Sequence, residues 1–158
     1  MPGDLYDRDF LAWSVHQADL LRRTARGERV NHVDWENVAE EIEGVGLSEL
    51  HAVQSYLDLI LVHLLKLHAW PNSDAQRHWR AEIAGFQANA RRRFAASMRQ
   101  RIDLDAQYTD ALDQVRPLLD DQETLLRPWP EANPFCLDAF LTANPGDLLT
   151  ILADAGTG

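Results

Sequence analysis

Three glutamates recur along one predicted helix at a spacing that could build a charged site. Glu36, Glu40 and Glu43 fall within a narrow sector, because each helical residue advances by about 100°. Like charges one turn apart repel, so a metal ion, an arginine face or solvent should compensate them. A solvated face or an internal salt-bridge network is the ordinary interpretation. A diiron bundle would require Glu-x-x-His motifs, which this sequence lacks. The spacing of the three glutamates is common in helices and by itself predicts no metal or cofactor, and a metal site stays open only as an alternative.

His63 and Lys66 lie one turn apart in the most apolar stretch of the chain. A buried lysine must find a partner or change its charge state. In the structural interpretation, Lys66 bonds an acid such as Glu40 or Glu43 and locks two helices together. In the functional interpretation, His63 is an acid–base group and Lys66 binds an anion. The candidate catalytic residues are therefore His63, Lys66 and Glu40.

The same reasoning predicts a direct contact between the two groups. A very short, glycine-containing turn should join their helices, which would then pack as neighbours. Lys66 or His63 should contact at least one of Glu36, Glu40 and Glu43. Lys66→Met should be costly, because it would leave a buried carboxylate without its partner.

A third candidate is a stripe of arginines on a basic helix. Residues 73–102 contain seven basic and two acidic side chains. Five arginines of this segment project to the side opposite its apolar residues: Arg77, Arg80, Arg91, Arg92 and Arg99. Such a stripe could contact a phosphate backbone or pair with acids in the same chain. The net charge of -10 disfavours approach to nucleic acid.

The elements that must position these residues are helices, because the apolar residues recur with a period of 3.6. The chain has 158 residues, of which 46% are hydrophobic, enough for one buried core. Gly27 should end the first helix, Asp34 should cap the second, and Gly44 with Gly46 should break or kink it. Ser73 and Gln76 form a predicted capping box. The predicted helices cover about 6–26, the segment from Asp34 to the glycine pair, 47–69, 73–101, a segment from Asp103 or Asp105 to Pro117, and 137–141.

These elements predict an all-α, single-domain bundle of five to six helices. Residues 1–143 would form the bundle and residues 144–158 a C-terminal tail or short helix. The second helix should bury Trp35, Val38, Ile42 and Val45. An apolar patch in the C-terminal segment, Leu148, Leu149, Ile151 and Leu152, should dock on the bundle or on a second copy. We expect the core to contain the residues at the centre of the apolar side of each helix: Trp13, Leu57, Leu61, Leu64, Trp79, Ile83 and Phe86.

Several functional classes find no support in the sequence. Dinucleotide-binding, Walker and nucleophile-elbow motifs are absent. The apolar run from Leu57 to Leu67 is too short and too charged to span a membrane, and the polar first residues do not resemble a signal peptide. Cys136 is the sole cysteine, so no intrachain disulfide forms and a reducing cytoplasm is the expected location.

The motifs together resemble the bacterial family catalogued as domain of unknown function 29. Residues 6–13 and 35–49 resemble its opening motifs, and His63-Leu64-Leu65-Lys66 resembles its central one. Trp79 followed by Ile83 resembles the next motif of the family, and residues 134–137 resemble its closing segment. The resemblance implies a helical bacterial protein and assigns no activity or catalytic residues. It also implies that Glu36, Glu40, Glu43, His63 and Lys66 belong to the family pattern.

These observations predict a small binding or regulatory module that acts through protein contacts, with a homodimer as an open variant. One alternative is a metal-dependent or hydrolase-like enzyme whose site joins Glu40, Glu43, His63 and Lys66. A weaker alternative is nucleic-acid binding through the arginine stripe.

Overall fold

The regular structure of the chain is helical, as predicted. The computed structural model describes residues 2–119, 125 and 127–157, and no strand occurs among them. Single-turn 3-10 helices lie at Ala96–Met98 and Arg116–Leu118. The α-helices of the described residues are α1 (Pro2–Arg8), α2 (Phe10–Ala25), α3 (Trp35–Ala69), α4 (Gln76–Arg93), α5 (Leu104–Val115), α6 (Leu137–Thr142) and α7 (Pro145–Ala155).

The chain divides into two compact units, Met1–Ser48 and Glu49–Gly158. Unit 1 contains α1, α2 and the first part of α3. The predicted first helix is two helices, because the Asp9 carboxylate accepts from the backbone N–H of Ala12 (3.0 Å) and starts α2 anew. Gly27 adopts φ +85° directly after α2, the stop that the sequence predicted.

Buried polar contacts organise the interior of unit 1. The indole N–H of Trp13 donates to Asp34 (3.1 Å), which directly precedes α3. The buried Gln17 accepts from the backbone N–H of Asp34 (2.8 Å). The amide of Asn37 also donates to the Asp34 carboxylate (2.8 Å), and these donors hold the pKa of Asp34 below its usual value. Asp34 therefore fixes the start of α3 against α2.

The break predicted at Gly44 and Gly46 is wrong, because both glycines lie inside the 35-residue helix α3. A glycine in an exposed helix costs about 1 kcal/mol relative to alanine, which weakens a helix without ending it. No other atom lies within 4 Å of the position that a Cβ would occupy at either glycine. The turn expected between a second and a third helix therefore does not exist.

Unit 2 contains the main hydrophobic core, built around the second half of α3. Leu57, Leu61 and Leu64 are fully buried there, as predicted, and so is Ile83 on α4. Trp79 and Phe86 pack against this core but are only partly buried. The other helices of the unit supply Leu104, Tyr108, Ala111, Leu112, Val115, Phe140, Leu141, Leu148 and Leu152.

The C-terminal patch docks on this core, which confirms the expectation for it. Leu148 and Leu152 of α7 are fully buried in the core cluster, and Leu149 and Ile151 pack against it. Asn144 caps α7 by accepting from the backbone N–H of Asp147 (2.9 Å).

α4 is shorter than predicted, and the predicted capping box does not form. The helix begins at Gln76, whose side-chain amide donates to the carbonyls of Leu67 (3.1 Å) and Trp70 (2.8 Å). Gln76 thus satisfies free carbonyls at the end of α3. α4 ends where Phe94 turns extended (ψ 131°).

α3 also contains an 18-residue stretch that is long and apolar enough to cross a membrane by composition alone. That test is also met by the core helix of a soluble protein, and the second half of α3 supplies Leu57, Leu61 and Leu64 to the core of unit 2. We therefore attribute the hydropathy of α3 to core packing.

Candidate functional site

His63 pairs with a carboxylate of α4. Its Nε2 lies 2.8 Å from a carboxylate oxygen of Glu82, and its Nδ1 lies 2.7 Å from the carbonyl oxygen of Leu59. Both ring nitrogens therefore face acceptor oxygens, and neither nitrogen is left without a partner. The second oxygen of Glu82 lies 3.3 Å from Nε2 of the exposed His78.

Lys66 lies over an aromatic ring, and none of the carboxylates that the structure describes forms an ion pair with it. Its ammonium nitrogen is 4.6 Å from the ring centroid of Trp79, within the range of a cation–π interaction. Trp79 and Glu82 are both on α4, so α4 provides the partners of Lys66 and His63. The predicted contacts with Glu36, Glu40 or Glu43 are wrong, because they required a turn within the segment that is continuous in α3.

The contacts of His63 and Lys66 favour a structural role, in which both side chains hold α3 against α4. His63 is only 12% exposed, and both of its nitrogens are engaged. The ring therefore presents no free nitrogen to a substrate in this arrangement. Among the described residues, no group of three or more His, Cys, Asp or Glu side chains could hold a metal ion.

The three glutamates of unit 1 lie on a solvated face of α3. Glu36, Glu40 and Glu43 are all exposed. Of the neighbouring apolar residues predicted to be buried, only Val38 is. The predicted burial of Trp35, Ile42 and Val45 is wrong, because the small interior of unit 1 does not extend over these three side chains.

Trp35, Ile42 and Val45 remain 61%, 67% and 68% exposed. They occupy a sector of about 80° on α3, and the three glutamates occupy the next sector. We call these six residues the acidic-apolar face: Trp35, Glu36, Glu40, Ile42, Glu43 and Val45.

Two of the five arginines of the predicted stripe form contacts within unit 2. Arg91 donates to the carbonyl of Leu141 (2.6 Å), and Arg99 pairs with Asp138 (2.8 Å). Arg93, outside the predicted stripe, pairs with Glu49 (2.9 Å). Arg77 is exposed on α4. Intramolecular contacts therefore account for part of the stripe, which leaves a weaker footprint for nucleic acid.

Arg80 lines a cavity of about 500 Å³ in unit 2, together with the end of α3, the connector before α6, and α7. The wall includes His68, Arg127, Leu149 and Thr150. Burial lowers the pKa of His68, so its ring is neutral near pH 7 and Nε2–H donates to the carbonyl of Pro128 (3.2 Å). Arg80 belongs to the predicted arginine stripe, whereas Arg127 was not predicted as a site residue, because nothing in the spacing of the sequence brings the proline-rich connector beside α4.

Comparisons with known proteins indicate a helical fold and assign no function to it. The sequence profile of the domain of unknown function DUF29 matches residues 5–144. The chain is also similar to the crystal structure of an alpha-helical protein of unknown function from Rhodospirillum rubrum, with 27% sequence identity and a TM-score of 0.67. That similarity covers 96% of this chain and 97% of the other. No curated protein matches the sequence.

Proposed function

Because this chain belongs to the DUF29 family, whose name assigns no activity, we propose its function from its own residues. It is a protein-binding module of the bacterial cytoplasm, and the acidic-apolar face of α3 is its contact surface. The exposure of Trp35, Ile42 and Val45 on one side of α3 is the observation that carries this proposal.

Single exposed apolar side chains are ordinary on protein surfaces, but a cluster of large ones characterises interaction sites. Covering a large apolar side chain contributes about 1.5–3 kcal/mol. Trp35, Ile42 and Val45 lie within three turns of one helix and share one sector, so a single partner element can cover them together.

The charge beside this surface specifies the chemistry of the partner. Glu36, Glu40 and Glu43 flank the apolar residues, and residues 1–48 contain ten acidic and five basic side chains. A basic amphipathic helix supplies an apolar stripe with lysine or arginine at its edge, as in helix-in-groove recognition. A second copy would bring the same glutamates together, and their repulsion disfavours a homodimer through this face.

A defined peptide tests the proposal. The probe is a fluorescent leucine–lysine helix of about 18 residues, five turns long. Binding to the full chain is measured by anisotropy at an ionic strength of about 0.15 M, where surface charges still act within about 8 Å. We expect Ile42→Asp and Val45→Asp each to weaken binding about tenfold or more, since each places an anion at an apolar contact.

Val15→Asp is the matched control, because Val15 is a similarly exposed valine on α2 of the same unit. It should leave the affinity unchanged. A leucine–glutamate helix and a scrambled leucine–lysine peptide should bind weakly. The proposal is wrong if the leucine–lysine helix does not bind, or binds the Ile42→Asp variant equally well. It is also wrong if sedimentation shows a dimer that Ile42→Asp dissociates, because a second copy would then occupy the face.

A further inference from the structure

We infer that the cavity of unit 2 binds a small organic anion, with its carboxylate or phosphate group held between Arg80 and Arg127. The cavity lies between the end of α3, α4 and α7, and its volume of about 500 Å³ is that of a small-molecule site. It lies within unit 2, so this inference is independent of the proposed function.

The charge of the lining selects an anion. Arg80 and Arg127 both line the cavity, and none of the described lining residues is an acid. No ion pair of either arginine occurs among the described residues. Guanidinium groups bind carboxylates and phosphates through two parallel N–H donors. No acid among the described lining residues offsets the charge of these two groups. Two guanidinium groups at one cavity repel each other, and an anion between them removes that cost.

The first turn of α7 adds to the positive potential. A guanidinium nitrogen of Arg80 lies 4.0 Å from the position that a Cβ would occupy at Gly146, in that turn. The start of a helix carries a partial positive charge. The Asp147 carboxylate in the same turn accepts from the side chain of Asn144 (2.8 Å), and Asp147 does not line the cavity. The partial positive charge at the start of α7 therefore lies beside Arg80.

The remaining polar groups of the wall leave the arginines as the available side-chain donors. The amide nitrogen of Gln76 already donates to two carbonyls, and the hydroxyl of Thr150 donates to the carbonyl of Gly146 (3.1 Å). His68 is neutral and its Nε2–H is engaged. A ligand must therefore bring acceptor atoms to Arg80 and Arg127.

Apolar side chains form another part of the wall, which indicates an organic body on the ligand. Leu67 and Pro71 lie at the end of α3, and Leu149 and Ala153 on α7. A ligand with one oxyanion and an apolar ring matches a wall that has two arginines in one part and apolar side chains in another. Inorganic phosphate would leave the apolar wall uncovered, and an uncharged ring would leave the two guanidinium groups without acceptors.

Calorimetric titration of the full chain tests the inference with four probes: phenyl phosphate, benzoate, inorganic phosphate and phenol. At least one of phenyl phosphate and benzoate should bind, and comparison of the two identifies the preferred oxyanion. Inorganic phosphate and phenol should bind about tenfold more weakly or not at all. Arg80→Gln and Arg127→Gln should each weaken binding of the preferred probe about tenfold or more.

Arg77→Gln is the control, because Arg77 is exposed on α4 one turn before Arg80 and does not line the cavity. It should leave the affinity unchanged. Since Arg80 and Arg127 are also exposed, their variants should fold, which circular dichroism verifies. The inference is overturned if neither organic anion binds, or if binding is insensitive to Arg80→Gln and Arg127→Gln. It is likewise overturned if Arg77→Gln weakens binding to the same extent.

Discussion

At His63, a nearly buried ring is held by two acceptors, and Glu82 is the charged one. Glu82→Gln retains the shape of the side chain but removes its charge. We expect the free energy of unfolding to fall by about 1 kcal/mol, below the usual range for a hydrogen bond to a charged group, because Glu82 is 34% exposed and solvent screens the pair. Urea unfolding followed by tryptophan fluorescence measures the change. His78→Ala should have little effect, since His78 is 71% exposed; an equal loss in both variants would contradict this account.

The expected effect of Lys66→Met on the free energy of unfolding depends on which group Lys66 contacts. The sequence predicted that Lys66→Met would be costly because a carboxylate would lose its partner. The structure places Lys66 over Trp79, so this substitution removes a cation–π contact of about 0.5–1 kcal/mol and no buried ion pair. We expect Lys66→Met to lower the free energy of unfolding by less than about 1 kcal/mol. A loss of several kcal/mol in urea unfolding would show that Lys66 neutralises a buried acid.

His68 should make the stability of the chain depend on pH. Burial lowers its pKa in the folded state, whereas the unfolded chain binds the proton with the ordinary pKa of about 6.5. The resulting stability is therefore present above pH 6.5 and is lost as the pH falls below it. His68→Gln, which retains an N–H donor, should reduce the slope of unfolding free energy against pH below 6.5. His51→Gln, at an exposed histidine, should not; a slope unchanged by His68→Gln would contradict this prediction.

At the scale of elements, the continuity of α3 predicts that substitutions of two of its glycines stabilise the protein. Gly44 and Gly46 are helical and have open space where a Cβ would stand. Gly44→Ala and Gly46→Ala should each raise the free energy of unfolding by up to about 1 kcal/mol. Gly27→Ala is the control and should instead lower the free energy of unfolding, because φ +85° is strained for alanine. Loss of stability in Gly44→Ala or Gly46→Ala would indicate a turn at that position.

The sequence predicted the elements better than the partners between them. Periodicity located most of the helices, and Gly27, Asp34 and Asp103 mark ends that the structure confirms. It failed at Gly44 and Gly46, because local glycine cost is smaller than the stability a long helix gains elsewhere. The prediction of a capping box also failed at Gln76. Its side-chain amide can bond either at the start of its own helix or at the end of α3, and in the structure it bonds at the end of α3. His63 and Lys66 were correctly identified as needing partners, but the register between helices is not encoded in spacing along one helix.

At the scale of the whole molecule, the residues that the sequence grouped into one site belong to different units. Glu36, Glu40 and Glu43 lie in unit 1, and His63 and Lys66 lie in unit 2. The core is concentrated in unit 2, whereas unit 1 leaves large apolar side chains exposed. The exposure of Trp35, Ile42 and Val45 could not be predicted from the sequence, since the pattern that they form with Val38 is equally that of a buried side.

The most direct measurement is a map of backbone amide NMR shifts on the full chain as the leucine–lysine helix is added. The account predicts that the largest changes cluster at residues 35–46, and that Ile42→Asp abolishes them. Leu59, a partly exposed leucine in unit 2 on the same helix, should show no comparable change. Changes centred in unit 2, or changes at residues 35–46 that persist in Ile42→Asp, would contradict the assignment of the acidic-apolar face as the contact surface.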